Sequence, residues 1–212
     1  MTRKKIGIFG GTFDPVHIGH LRLALELKQQ LKLDEMRLVP SHKPPHRDAP
    51  RASSEQRAEM LAIAVRDCPD LVVDNRELVR DKPSYTYDTL CELRAELGQE
   101  ISLVLCMGAD AFAGISSWHR WQELLHLAHI VVIARPGWDL PESGPVRDLL
   151  DQRKRDVGSL DIDSAGAIVL VSPRLLSVSA TEIRQLIRAR ESAQFLVPDN
   201  VWKYICARNL YC

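Results

Sequence analysis

Short apolar runs alternate with amphipathic stretches along most of this 212-residue chain, and no other feature constrains its fold as strongly. The pattern predicts a strand near 5–9, a helix near 18–31, a strand near 36–40, a helix near 54–66 and a strand near 71–74. It continues with a helix near 86–97, a strand near 101–107, short helices across 110–127 and a strand over 129–134. Strands joined through helices pair in parallel by right-handed crossovers, and a parallel sheet must be covered on both faces. The expectation is an α/β fold, a Rossmann-like doubly wound parallel sheet with helices on both faces. Arg135-Pro136-Gly137 then breaks the rhythm, a polar helix near 145–156 and a Gly/Ser/Asp stretch over 157–166 follow, and a last strand at 168–171 leads to two C-terminal helices. Asp199, after Pro198, is expected to cap the second of these. A chain of this length suits one sizeable core and is short for two, so residues 1–212 are read as a single domain.

The junction between the first strand and the first helix carries Gly10-Gly11-Thr12-Phe13-Asp14-Pro15-Val16-His17-Ile18-Gly19-His20. Adjacent glycines permit a sharp turn and a close approach of backbone to ligand, and the helix start presents N–H groups to an anion. His17 and His20, three apart, fall on one side of the first helical turn. Gly19 between them would weaken an ordinary surface helix, which implies that something approaches the backbone there. The string reads as a polyphosphate clasp. A glycine turn followed by two solvated or metal-binding histidines is the alternative.

Twenty-eight basic residues balance 28 acidic ones, so no global field draws the chain to nucleic acid. No apolar run approaches the roughly 20 residues that cross a bilayer, and Met1-Thr-Arg-Lys-Lys leads directly into a strand, so a cytoplasmic protein without membrane contact is expected. Basic residues gather at Lys43–Arg51, which suits a small phosphorylated substrate, and at Arg147–Arg155, which alternates with Asp and reads as a solvated helix face. Five cysteines without a C-x-x-C read as reduced thiols, Cys106 in the core.

Ser179-Ala180-Thr181-Glu182 has the pattern of a capping box. Capping does not require Thr181 or Arg184, and hydroxyls with an arginine at a helix start make a second anion site. The first string resembles the (H/T)-x-G-H signature of the nucleotidyltransferase superfamily. Val178-Ser179-Ala180-Thr181-Glu182-Ile183-Arg184 resembles its second motif, I-S-S-T-x-I-R, with Ala180 in place of the usual second serine. The resemblance implies that ATP is bound by Gly10, Gly11, Thr12, Phe13, His17, Gly19, His20, Ser179, Thr181 and Arg184. His17, His20 and Arg184 are implied to be catalytic.

Pro44-Pro45-His46, Ser84-Tyr85-Thr86 and Ser117-Trp118 resemble elements of the bacterial nicotinate-mononucleotide adenylyltransferases. Ser41-His42-Lys43-Pro44-Pro45-His46-Arg47 is a loop stiffened by prolines and carrying three cations, though a solvated loop reads equally well from the residues alone. Pro83-Ser84-Tyr85-Thr86 introduces a helix whose positive end suits a carboxylate, or Thr86 is simply a cap and Tyr85 a core aromatic. Gly108-Ala109-Asp110 ends a strand where a carboxylate suits ribose hydroxyls, and Trp118 offers a surface for stacking on a flat ring, whereas Trp121 reads as core and His119 as surface. Arg135 either faces a phosphate or complements a loop. The resemblance implies that Lys43, His46, Ser84, Tyr85, Thr86 and Trp118 bind the mononucleotide, and Asp14, Asp110 and Arg135 are expected to join them.

The implied reaction transfers AMP from ATP to nicotinate mononucleotide, giving deamido-NAD and pyrophosphate. Mg²⁺ is implied to be held mainly by the ATP phosphates, with no protein metal site of its own. Three other readings are a transferase for another phosphorylated acceptor, a non-catalytic nucleotide-binding regulator, and a metal-dependent hydrolase built on His17, His20, His42 and His46. A homo-oligomer is left open by the sequence.

Overall fold

The computed structural model describes residues 3–42, 50–80, 83–134 and 140–212. Its sheet has six parallel strands, β1 Lys5–Gly11, β2 Glu35–Pro40, β3 Leu71–Val73, β4 Ser102–Gly108, β5 His129–Ile133 and β6 Ile168–Val171, in the order β3-β2-β1-β4-β5-β6. The helices are α1 Ile18–Gln30, α2 Ser54–Val65, α3 Thr86–Leu97, α4 Ala109–Ala113, α5 Leu124–Leu127, α6 Pro145–Arg153, α7 Ala180–Arg188 and α8 Asp199–Ala207. The doubly wound architecture expected from the alternation is the one found. Among the described residues no helix is long and apolar enough to cross a membrane.

Period two explains the two cores. Phe9, Val104, Cys106, Val131 and Ile133 project to one face, under α1, α2, α7 and α8; Ile6, Ile8, Leu103, Leu105, Ile130 and Val132 project to the other, under α3 to α6. Both faces are buried, so the strands read as continuous apolar runs. Leu23, Ala24 and Leu27 of α1 repeat at helical spacing and are buried on the first face. Truncating a fully buried residue such as Leu27 costs about 2–5 kcal/mol in general. The basic stretch at 147–155 behaves as expected, with Arg147 and Asp151 paired one turn apart on the exposed side of α6. Cys106 is buried, and desolvation pushes its thiol up to about 12.

Asp199 is not the cap of α8. Pro198 holds that position with extended backbone, and Asp199 is the first helical residue, where its carboxylate still meets the positive end of the helix.

The strand order reverses between β1 and β4, so connections leave in opposite directions at their carboxyl ends and open a crevice there. Gly10 and Gly11 end β1, and Gly108 ends β4. The opposite end of the sheet is closed by buried polar groups. Arg94 donates to the carbonyls of Leu127, Gly98, Ile101 and Ser164 at 2.7–2.9 Å. His129, fully buried, accepts the Ala167 N–H at Nδ1 (3.1 Å), so its neutral ring carries hydrogen on Nε2, 2.9 Å from the Asp163 carbonyl.

Burial lowers the pKa of His129 below its ordinary 6.5. The unfolded chain then takes up a proton before the folded one does. Stability is constant above that value for this group and falls as pH drops below it, by at most about 1.4 kcal/mol per pH unit. Urea unfolding at pH 7.5 and 5.5 should show the drop, and His129→Leu should diminish it.

Candidate active site

Gly10 and Gly11 do not make the turn that adjacent glycines suggest. Both remain in the ladder, opposite Val39 and Pro40, and the left-handed residue is Phe13, at φ 50°. The glycines serve close packing and access instead. A Cβ on Gly11 would lie 2.9 Å from the Phe13 ring, whereas one on Gly10 would meet nothing within 4 Å. Gly10 therefore leaves open space beside the end of β1.

His17 caps α1 with extended backbone, and its ring stacks on His20 with centroids 3.7 Å apart and planes at 26°. The two imidazoles share one side of the helix start, as their spacing predicts. His20 accepts the His17 N–H at Nδ1 (3.4 Å), so the neutral ring has its hydrogen on Nε2, and Phe13 meets it edge-on at 5.1 Å. The group that approaches Gly19 proves to be protein. A Cβ there would sit 3.0 Å from His17 Nδ1 and 3.5 Å from the Val178 carbonyl. One N–H of the helix start is also taken internally, since Ile18 donates to the Leu196 carbonyl at 3.0 Å.

That Val178 carbonyl belongs to the second motif. Ser179 caps α7 by accepting the Glu182 N–H at 3.1 Å, which makes the first half of the expected box. Arg184, one turn on, donates to the backbone carbonyl of Asp14 at 2.6 Å and reaches the Thr181 hydroxyl at 3.3 Å. Residues 170 apart in sequence thus meet at one sheet edge.

Asp14 itself lies inward, 6% exposed. Its carboxylate accepts the N–H groups of Arg51 (2.8 Å) and Ala52 (3.1 Å) and the Tyr211 hydroxyl (2.8 Å). Burial and this carboxylate push the Tyr211 phenol well above its ordinary value, so the hydroxyl remains a donor.

A chain of contacts runs from the clasp to the expected acceptor segments. Arg57 of α2, 1% exposed, donates to the carbonyls of Thr12 (2.7 Å) and His42 (3.2 Å). The N–H of His42 goes to the Ser84 hydroxyl at 3.1 Å. Ser84 is buried, and beneath it Glu77 accepts the Thr89 hydroxyl at 2.7 Å. Burial raises the Glu77 carboxyl, while hydrogen bonds from Thr89 and Ser84 oppose the shift. Tyr85, not Thr86, is the N-cap residue of α3, and no side-chain cap is made there. The Tyr85 ring lies 4.6 Å from that of His119, an exposed residue next to half-buried Trp118. Asp110 falls in the first turn of α4 at the end of β4.

A family model described as cytidylyltransferase-like matches residues 8–186. A Cellvibrio japonicus protein named as a probable nicotinate-nucleotide adenylyltransferase is 63% identical over 99% of both chains. The chain belongs to the nicotinate-nucleotide adenylyltransferase family. A family member similarly named in Pseudomonas entomophila is 51% identical over 98% of this chain and 95% of its own. The Plasmodium falciparum nicotinic acid mononucleotide adenylyltransferase, solved in complex with NaAD, has the same fold at a TM-score of 0.74, covering 98% of this chain and 97% of its own; at 19% identity that likeness speaks for the fold alone.

In this family member, Lys43, His46 and Arg135 lie outside the described residues. Arg57, Glu77 and Tyr211 are the buried groups of the site that sequence reading passed over. Arg57 did leave a signal. It occupies the apolar stripe of α2, one turn before Met60 and Leu61 and two before Ala64 and Val65, where a charge must find partners. Arg57→Leu should cost about 3 kcal/mol in urea unfolding, because two half-buried carbonyls lose a charged donor. Lysine should not restore the loss, since a single ammonium does not reproduce the fork that spans both acceptors.

Proposed function

We propose that this chain transfers AMP from ATP to nicotinate mononucleotide, releasing pyrophosphate and forming deamido-NAD. The observation that carries the reading is the meeting of Arg184 with the Asp14 carbonyl, which sets the start of α7 against the His17–His20 side of α1 at the switch point of the sheet. Two helix starts, two imidazoles and a guanidinium there suit a triphosphate. The ATP site comprises Gly10, Gly11, Thr12, Phe13, His17, Gly19, His20, Ser179, Thr181 and Arg184, with the alanine at 180 contributing backbone only.

The acceptor lies toward α3 and α4. Tyr85 and Thr86 receive the pyridine carboxylate at the start of α3, Trp118 stacks on the ring, and Asp110 takes the ribose hydroxyls. Ser84 and Asp14 act by fixing the loops on either side, because their side chains are buried and bonded within the protein. Lys43, His46 and Arg135 supply charge for the mononucleotide phosphate.

A phosphate oxygen of the mononucleotide attacks the α-phosphorus of ATP, and the bond from that phosphorus to the oxygen bridging to the β-phosphate breaks. The nucleophile is already largely ionised near pH 7, its second pKa being about 6, so no general base is needed. His17, His20 and Arg184 hold the charge that moves onto pyrophosphate. Among the described residues no group of three or more His, Cys, Asp or Glu forms a metal cage, and Asp14 is spent on protein donors. Mg²⁺ brought in with ATP would supply charge neutralisation for the departing group, beside His17, His20 and Arg184.

Incubation with ATP, Mg²⁺ and a panel of phosphorylated acceptors, with pyrophosphate as readout, tests the reading. Release with nicotinate mononucleotide well above release with phosphopantetheine or glycerol phosphate is the expected result. No release with any acceptor would overturn it.

A further inference from the structure

Tyr211, which follows α8, is bonded to Asp14 of the candidate site. Beyond α8 the backbone passes through two left-handed, non-glycine residues, Asn209 (φ 49°) and Tyr211 (φ 69°), and brings the Tyr211 ring inside, 8% exposed. Left-handed backbone is disfavoured for side chains with a Cβ, so it persists where surrounding contacts hold it. The ring packs into the apolar core on the α1 side of the sheet, and the hydroxyl donates to Asp14 Oδ1 at 2.8 Å across 197 residues of sequence.

Asp14 joins three segments through its carboxylate: the clasp to which it belongs, the entry to α2 at Arg51 and Ala52, and the C-terminus. Arg184 donates to the backbone carbonyl of Asp14, and the same Nη1 lies only 3.9 Å from Asp14 Oδ2. The carboxylate therefore stands just short of a close ion pair with the guanidinium on which the phosphate site depends. The Tyr211 hydroxyl on Oδ1 holds it in its present rotamer together with the N–H groups of Ala52 on Oδ1 and Arg51 on Oδ2. With the hydroxyl gone, Oδ1 keeps one donor and the carboxylate is freer to turn toward the guanidinium, and a guanidinium matched to a carboxylate is a weaker partner for pyrophosphate.

We infer that Tyr211 is a positioning residue for nucleotidyl transfer: its hydroxyl restrains Asp14 and so keeps Arg184 available to the departing pyrophosphate. The inference rests on the transferase reading above. It places the effect on turnover more than on ground-state binding, since the charge met by Arg184 grows in the transition state.

The test is steady-state kinetics of Tyr211→Phe, with Tyr204→Phe as control. The Tyr204 hydroxyl, also near the C-terminus, donates to Glu59 of α2 at 2.6 Å in an exposed bond that does not involve Asp14. Tyr211→Phe should lower kcat about 5- to 10-fold with KM for either substrate changed less than about 2-fold, while Tyr204→Phe stays at wild-type turnover. In an Asp14→Asn background, where no carboxylate remains to pair with Arg184, Tyr211→Phe should change kcat less than about 2-fold further. Rates are normalised to the folded fraction from thermal melts of each variant. Wild-type kcat in Tyr211→Phe, or a full loss that persists in the Asp14→Asn background, would overturn the inference while leaving the transferase reading standing. An inactive wild-type chain would overturn that reading and this inference with it.

Discussion

His20→Ala should lower kcat by about 100- to 1,000-fold while leaving the protein folded, the scale of losing one preorganised donor to developing charge. The ring is half-buried and belongs to neither apolar core: it meets Phe13 edge-on, stacks on His17 and accepts the His17 N–H at a long 3.4 Å. That bond nonetheless sets the tautomer, leaving Nε2–H as the donor to phosphate. Because the nucleophile arrives ionised, the loss should appear in kcat at all pH values from about 7 to 9, with no new ionisation in the profile. Pyrophosphate release, with far-UV circular dichroism to show retained structure, decides the matter. Near-wild-type turnover in a folded variant would remove His20 from the phosphate site. His17→Ala is a poorer test, since His17 is 6% exposed and packs on Gly19 as well as on His20.

The second large effect is discrimination between acid and amide mononucleotides, expected at about 10- to 100-fold in kcat/KM. The Tyr85 side chain makes no cap at the start of α3, and the positive end of that helix suits a carboxylate. The interaction with the helix end contributes about 0.3–1 kcal/mol where exposed and up to ~2 where partly buried, and a hydrogen bond to a charged acceptor about 1.5–3. A carboxamide loses the charge and presents an N–H₂ to the same donors, so the difference falls on one substrate. Parallel kinetics with the two mononucleotides measures it. Equal specificity constants would mean that the ring is recognised elsewhere, at Trp118 or the 41–50 loop.

The fold was legible because its determinants are local. Apolar runs of strand length, separated by amphipathic stretches, leave a parallel doubly wound sheet as the solution that buries both faces, while the order β3-β2-β1-β4-β5-β6 came from the structure. The two helix starts were legible for a similar reason: His17 and His20 share a helix turn, and Ser179 precedes its own helix. Local pattern misassigned the details that long-range packing decides. Adjacent glycines suggested a turn, but pairing of β1 with β2 holds them extended and passes the left-handed conformation to Phe13. Gly19 suggested a ligand, and the neighbour is the ring of His17.

The sequence by itself determined the layers, the two helix starts and the residue types suited to phosphate and carboxylate, because propensity, periodicity and capping act within a few residues. Only the tertiary structure decided which buried polar groups answer one another. Arg57 spans the carbonyls of Thr12 and His42, Ser84 takes the His42 N–H, and Tyr211 reaches Asp14 from the far end of the chain. Partnerships of that kind arise because a buried donor or acceptor must be satisfied by whatever the fold brings alongside it, at any separation in sequence.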